Sequence, residues 1–177
     1  MPNNNAFIGL GSNIEQPALQ LQTALQAIAQ LPDTTLLKCS HFYASTPMGP
    51  QDQPDFVNAV CQVSTQLCPD SLLSHLQAIE NQQGRKRNTE RWGPRSLDLD
   101  ILLIDQLSIR QDHLVIPHYG LYDREFVLVP LFEIAPDLTL PNGESIAQAV
   151  AKCNLVGLYR LSDKPMFSET ARTEELG

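Results

Sequence analysis

Residues 95–104 of the chain read RSLDLDILLI, and the stretch from Leu97 onward predicts a β-strand because Leu and Ile dominate it. Side chains along a strand alternate between two faces, so Asp98 and Asp100 share one face while the leucines beside them point to the other. The two carboxylates would lie about 7 Å apart, and they repel each other unless cations lie close by. This stretch therefore predicts an apolar strand with a charged site on one face.

The chain before this strand alternates between extended and helical patterns. Short apolar runs bounded by turn-forming residues predict strands at residues 6–10, 35–44 and 55–64. Apolar residues recur at helical spacing in residues 19–31 and again from Pro69, which predicts two helices. The order β-α-β-β-α-β is that of the ferredoxin-like split β-α-β fold of the α+β class, an antiparallel sheet with helices packed on one face.

The remaining segments extend this core towards the C-terminus. Residues 126–134 are strongly apolar and predict a further helix, which Pro136 is expected to end. The chain has 177 residues, 42% of them hydrophobic, so we expect a single domain over residues 1–161. Residues 162–177 are polar, and we expect them to form a mobile tail.

Composition and charge exclude several classes of protein. The net charge of −8 argues against nucleic acid as a partner, because nucleic-acid-binding proteins normally present a positive field. No stretch approaches the roughly 20 apolar residues that span a membrane, and the polar N-terminus is unlike a signal peptide, so we expect a cytoplasmic protein with no membrane partner. The four cysteines form no C-x-x-C pair, which favours reduced thiols.

A basic segment precedes the acidic strand. Residues 84–95 read GRKRNTERWGPR and contain five of the twelve Lys and Arg residues of the chain. Because arginine binds phosphate oxygens through two parallel hydrogen bonds, the segment favours a compact phosphate-rich anion; a solvated basic loop is the alternative. Two hard cations about 3.5–4 Å apart, between these phosphates and the Asp pair, would suit metal-assisted transfer at phosphorus. Incidental acids at a solvent-facing strand edge are the alternative for that pair.

Other positions favour a flat, polar ligand. Residues 9–11 read GLG after a strand, but Ile14 stands where a dinucleotide-binding fingerprint needs its third glycine, which leaves a tight turn or a close approach to a ligand. Phe56 and Asn58 share a strand face and could stack on and hydrogen-bond a heterocycle; packing and a turn contact are the alternative. Trp92, the only tryptophan, fits either the core or a loop that closes over a ligand.

Several segments, in the family's order between residues 6 and 140, together resemble the hydroxymethyldihydropterin pyrophosphokinase family. They are GSN at residues 11–13, GPQDQP at 49–54, RWGPR at 91–95, LDLD at 97–100, VIPHY at 115–119 followed by Arg124, and PLFEIAP at 130–136. The resemblance implies a monomeric folate-biosynthesis enzyme with a ferredoxin-like core. It also implies that two Mg²⁺ assist the transfer of pyrophosphate from ATP to 6-hydroxymethyl-7,8-dihydropterin, which leaves AMP.

The resemblance also assigns roles to matching positions. It implies Asp98 and Asp100 as metal ligands, and these two with Arg85 and Arg95 as the catalytic residues. The implied pterin contacts are Gly11, Ser45, Thr46, Met48, Phe56, Asn58 and Phe126. The implied ATP contacts are Gln77, Glu80, Arg85, Arg87, Arg91, Trp92, Arg95, Ile101, His118, Tyr119 and Arg124. Three mobile loops, after the first strand and at residues 45–54 and 84–95, are implied to close over the site and exclude water.

The chain departs from the family's pattern at a few positions. Ser45-Thr46 replaces a familiar Thr-Pro pair, Phe56 a common Tyr, Asn88 a basic residue and His113 a frequent arginine, so neither Asn88 nor His113 is assigned to ATP. Two other functions compete with the pyrophosphokinase hypothesis. One is a ferredoxin-like module that binds RNA or a regulatory nucleotide without turnover, and the other is metal-dependent nucleotidyl transfer or phosphate hydrolysis on another substrate.

Overall fold

The computed structural model describes residues 3–13, 16–45, 55–83 and 97–161. Its elements follow the predicted β-α-β-β-α-β order with the second predicted strand divided in two, and further elements follow. The strands and helices are β1 (Asn4–Ser12), α1 (Pro17–Ala29), β2 (Thr34–Cys39), β3 (Tyr43–Ser45), β4 (Phe56–Thr65), α2 (Pro69–Gln82), β5 (Asp98–Ile104), β6 (Ile109–Gln111), β7 (Leu114–Ile116), α3 (Glu125–Ile134), α4 (Ile146–Ala151) and β8 (Leu158–Arg160). The α+β, ferredoxin-like prediction is thereby confirmed.

The sheet brings the predicted site residues into neighbouring rows. Its strand order is β5-β1-β4-β3-β8, with β2 also paired to β4, and β6 and β7 form a separate hairpin. All described pairings are antiparallel. In one row across three strands, Gly11 of β1 lies opposite Asn58 of β4 on one side and Asp98 of β5 on the other. Gly9 lies opposite Asp100 in a neighbouring row.

The two faces of the sheet are covered by different helices. Helices α1 and α2 pack on the face that carries Ile8, Leu10 and Ile101, as the ferredoxin-like prediction requires. The C-terminal helices α3 and α4 pack on part of the opposite face, around Val60 and Leu102. Since strand side chains alternate, Asp98 and Asp100 lie on the same face as Leu102. The carboxylates therefore lie on the same face of β5 as Leu102, at which α3 covers the strand.

The predicted strand over residues 35–44 is broken into β2 and β3. Ser40, at the break, bonds to β4 through its backbone N–H, which donates to Val60 O at 2.9 Å, and through Oγ, which accepts from Val60 N at 3.0 Å. A side-chain oxygen thus replaces one rung of the backbone ladder. The following residue, His41, leaves the ladder and bonds to α3 instead.

A partly buried carboxylate holds this break against α3. Glu133 accepts hydrogen bonds from His41 N at 3.0 Å and Tyr43 Oη at 2.6 Å, and its Oε2 lies 2.8 Å from His41 Nδ1. Burial alone raises the pKa of Glu133, but the hydrogen bonds from Tyr43 and His41 outweigh it and hold that pKa below its ordinary value. The PLFEIAP segment therefore anchors the strand that carries Ser45.

The cysteines agree with the prediction of reduced thiols. All four cysteines are free thiols, and Cys39 and Cys61 are buried. Burial raises the pKa of the Cys61 thiol to about 12, which makes this thiol unreactive. Across the described ranges, no helix has both the length and the apolar character that crossing a membrane requires. The basic segment over residues 84–95 lies outside the described residues.

Candidate functional site

A cavity of about 400 Å³ opens on the face that carries the two aspartates. Its floor consists of β1, β4 and β5, and α3 forms one wall. The predicted site residues that line it are Gly11, Ser45, Phe56, Asn58, Asp98, Asp100, His118, Arg124 and Phe126. Predicted metal, pterin and ATP residues thus meet in one space.

The floor of the cavity is shaped by Gly11 and Asn58. A Cβ atom at Gly11 would lie 2.7 Å from Asn58 Nδ2, so glycine is needed for the amide to lie across the neighbouring strand. The Asn58 Oδ1 atom is buried and has no hydrogen-bond partner among the residues that the structure describes. An unpaired buried acceptor is costly, which favours a ligand that donates a hydrogen bond here.

The two aspartates are held by a buried contact beneath their strand. Leu99, which separates them, is buried, and its backbone N–H donates to Glu80 Oε2 at 2.8 Å. Glu80 lies on α2 and is only 5% exposed. The side chain of Asp100, by contrast, is 49% exposed. Glu80 therefore fixes the peptide between two carboxylates that face the open side of the sheet.

His118 lies beside Asp100 in a fixed orientation. Its backbone N–H donates to Leu102 O at 3.0 Å, and its Nδ1 accepts from Gly120 N at 3.0 Å. In the neutral ring the proton is then on Nε2, which lies 3.9 Å from Asp100 Oδ1. Burial lowers the pKa of His118; the charge of Asp100 opposes this shift, and that of Arg124 adds to it. The net shift is downward, so the ring is neutral near pH 7.

A second cavity, of about 240 Å³, lies on the other side of Asp100 and His118. Ile101 and Tyr119, both predicted ATP contacts, line it. The Tyr119 ring is stacked on the His118 ring with centroids 4.5 Å apart, and Tyr119 is 74% exposed. Asp100 and His118 line both cavities and therefore form the boundary between them.

Some predicted residues lie elsewhere. Gln77 and Glu80 line neither cavity, and the Glu80 carboxylate bonds to Leu99 instead. Seven further predicted residues lie outside the described ranges: Thr46, Met48, Arg85, Arg87, Arg91, Trp92 and Arg95.

Other charged or polar lining residues were not assigned to the site from the sequence. Asp123 and Glu125 flank Arg124 and line the first cavity, and the acid-arginine-acid order could have indicated them. His113, a departure from the family's pattern, lines the second cavity, where its Nε2 lies 2.7 Å from Asp70 Oδ1 on α2.

Comparison with known proteins identifies the family. A family model described as 7,8-dihydro-6-hydroxymethylpterin-pyrophosphokinase (HPPK) matches residues 7–136. The chain belongs to this family. A 2-amino-4-hydroxy-6-hydroxymethyldihydropteridine pyrophosphokinase of Haemophilus influenzae is 57% identical over 145 residues, which cover 82% of this chain and 90% of the relative. Its namesake in Pseudomonas aeruginosa is 48% identical over 155 residues, covering 88% and 95%.

Solved structures of HPPK-containing proteins show the same fold. An HPPK-DHPS protein in complex with substrates matches with a TM-score of 0.67 at 15% identity, over 85% of this chain and 43% of that one. Plasmodium falciparum HPPK-DHPS with pteroate matches with a TM-score of 0.69 at 16% identity, over 85% and 42%. This chain therefore spans less than half the length of those two proteins.

The magnesium that an HPPK reaction implies fits the carboxylate pair. Within the described residues, no group of three or more His, Cys, Asp or Glu side chains could enclose a metal ion. Mg²⁺ in phosphoryl-transfer sites normally binds one or two carboxylates, substrate phosphates and water rather than a full protein cage. Asp98 and Asp100, on one open strand face, match that donor set.

Proposed function

We propose that the two cavities hold the two substrates of a pyrophosphoryl transfer, with the pterin in the first and the nucleotide base side of ATP in the second. Family membership supplies the reaction. The chain is an ATP-dependent pyrophosphokinase that transfers pyrophosphate from ATP to 6-hydroxymethyl-7,8-dihydropterin in folate biosynthesis, giving AMP and the pterin diphosphate. The reacting groups would then meet at Asp100 and His118, the boundary of the cavities.

The unpaired Asn58 Oδ1 is the observation that carries the pterin assignment. A pterin ring presents N–H donors and acceptors along one edge, so an amide can both accept from and donate to it. Phe56 lies two residues away on the same strand face, is half-buried, and lines the same cavity, where it can stack on the flat ring. Gly11 supports this arrangement because its missing Cβ leaves room for the amide.

The metal assignment rests on charge and position. Asp98 and Asp100 are the proposed ligands of two Mg²⁺, which when bound would neutralise the phosphate oxygens and the charge that develops on the transferring group. Glu80 contributes indirectly, because its bond to Leu99 N fixes the strand between the two ligands. The contribution of the aspartates is therefore to place negative charge at the boundary between the substrates.

His118 is the proposed neutral donor on the nucleotide side. Its bonds to Gly120 and Leu102 fix the ring, and its lowered pKa keeps Nε2–H available as a donor near pH 7. Arg124, which lines the first cavity, adds a permanent positive charge nearby. A neutral imidazole and a guanidinium together can orient phosphate oxygens, as transfer at phosphorus requires.

The basic segment and the domain limits complete the proposal. The arginines of residues 84–95, with Arg85 and Arg95 as catalytic residues, would bind the ATP phosphates, and this segment would close over the site with residues 45–54. Residues 1–161 would form the pyrophosphokinase domain, residues 162–177 a mobile tail, and the enzyme a monomer. The family resemblance and the order of charges along the chain support these assignments.

Product analysis tests the proposal. The protein is incubated with Mg-ATP with and without 6-hydroxymethyl-7,8-dihydropterin, and the nucleotides are separated by chromatography. Pyrophosphoryl transfer predicts AMP and pterin diphosphate in equal amounts, only when the pterin and Mg²⁺ are both present. Release of ADP and phosphate, or of AMP and pyrophosphate without pterin, would show hydrolysis instead, and no release at all would show a binding module.

A further inference from the structure

One side chain spans the boundary between the two cavities. The guanidinium carbon of Arg124 lies 5.3 Å from the centroid of the Tyr119 ring and 5.8 Å from that of Phe126. A cation within about 6 Å of a ring centroid is attracted to the ring. Tyr119 lines the second cavity and Phe126 the first, so Arg124 is in contact with a wall of each.

The space for this arrangement comes from Gly120. A Cβ atom on Gly120 would lie 2.5 Å from Arg124 Nε and 2.7 Å from Arg124 Cζ, closer than non-bonded atoms approach. Any larger residue at position 120 would therefore push the guanidinium away from its place. The backbone N–H of Gly120 separately donates to His118 Nδ1 at 3.0 Å, and an alanine would keep that bond.

We propose that Gly120 is a positioning residue that couples the binding of the two substrates through Arg124. This inference rests on the proposed function, which places the nucleotide beside Tyr119 and the pterin beside Phe126. Whichever substrate binds first orders the shared guanidinium and bears the loss of its side-chain entropy, so the second substrate binds to an ordered arginine. Because binding free energies are linked, each substrate should raise the affinity for the other by the same factor.

Calorimetric titration of the full chain measures this factor directly. The pterin is titrated with and without the Mg²⁺ complex of α,β-methylene-ATP, whose replaced bridging oxygen blocks the bond cleavage that pyrophosphoryl transfer needs. In the wild type we expect the analogue to tighten pterin binding about tenfold or more, within the usual range of about 5–150-fold for coupled sites. In Gly120→Ala we expect the factor to fall below about threefold, with each ligand alone changing less.

A double-mutant cycle tests whether Gly120 acts through Arg124. Arg124→Ala should also lower the coupling factor, and adding Gly120→Ala to that variant should cause no further loss. Arg124→Lys keeps the charge but loses the flat guanidinium that lies against two rings, so it should show weakened coupling in a protein with an unchanged backbone. This second variant carries the test if Gly120→Ala lowers the melting temperature.

The outcomes separate this inference from the proposed function. Gly120→Ala or Arg124→Lys with wild-type coupling would overturn the role of Gly120 while leaving the reaction intact. The same holds if Gly120→Ala causes its full loss of coupling even when Arg124 is already alanine. A wild-type protein that binds neither the pterin nor the nucleotide analogue would overturn the proposed function, and the coupling with it.

Discussion

Replacing Asn58 by leucine should stabilise the ligand-free protein and weaken its hold on the pterin. The buried Asn58 Oδ1 has no partner among the described residues, and leaving such a group unpaired costs roughly 1–3 kcal/mol. Leucine has a similar shape and removes the polar atoms. If removal of the unpaired oxygen raises the free energy of unfolding by about 1 kcal/mol, the melting temperature should rise by about 2–4 °C in a protein of this size.

The pterin should respond in the opposite direction. Its ring would lose both hydrogen bonds to the amide, and its own polar edge would be left unpaired in the cavity. A loss of about 1–3 kcal/mol corresponds to roughly a 5- to 150-fold rise in the dissociation constant for the pterin. The affinity for the nucleotide should change far less, because Asn58 lines only the first cavity.

Thermal melts without ligand and calorimetric titrations with each substrate provide the measurements. Gln62→Leu is the matched control, since Gln62 lies on the same strand face, bonds to Asn5 Oδ1 at 3.4 Å and lines neither cavity. This control should leave pterin affinity unchanged. An Asn58→Leu protein that melts well below wild type and binds the pterin normally would refute the reasoning, because the amide would then be a structural group.

Three further predictions concern the two aspartates, Arg95 and Glu133. Asp98→Ala and Asp100→Ala should each abolish nearly all Mg²⁺-dependent AMP release. The melting temperature without ligand should stay equal or rise, because two like charges no longer repel each other. A large drop in this melting temperature would mean that the two acids are structural. Arg95→Lys should restore only part of the turnover that Arg95→Ala loses, since lysine lacks the planar fork; full activity in the lysine variant would reduce the role of Arg95 to simple attraction. The lowered pKa of Glu133 means that its contribution to stability is present above the ordinary value of 4.5 and is lost as pH falls through the folded-state value. Glu133→Gln should therefore destabilise the protein by about 1–3 kcal/mol near neutral pH and by much less in acid. Urea unfolding at several pH values measures this difference. An equal loss of stability at every pH would mean that the charge of Glu133 contributes nothing.

The parts of the fold that depend on short-range pattern could be predicted from the sequence. The alternation in LDLDILLI places Asp98 and Asp100 on one face because a strand has period two, and the structure has this arrangement. The same argument correctly pairs Phe56 with Asn58 on one face of the cavity. These predictions need no knowledge of what lies far away in the chain.

Other features could not be predicted because they depend on residues that are distant in sequence. The break between β2 and β3 involves Ser40, which bonds to Val60, and His41, which bonds to Glu133 across 92 residues. The hydrogen bond that Glu80 of α2 accepts from Leu99 N of β5 likewise joins residues of two different elements, 19 positions apart in sequence. Hydrophobic periodicity indicates which face of an element is apolar, and it does not indicate which partner a polar side chain will find.

The contacts of β5 have a consequence for solubility as well as for the site. Among the described strands of the main sheet, β5 pairs with β1 alone, so its other backbone edge could recruit a strand from another molecule. Glu80 instead occupies the N–H of Leu99, and the N–H of His118 occupies the carbonyl of Leu102. A carboxylate and a loop thus close the edge that a neighbouring chain would need for intermolecular strand addition. The contacts that fix the strand of the aspartates and His118 at the boundary between the two cavities therefore also oppose aggregation through this strand.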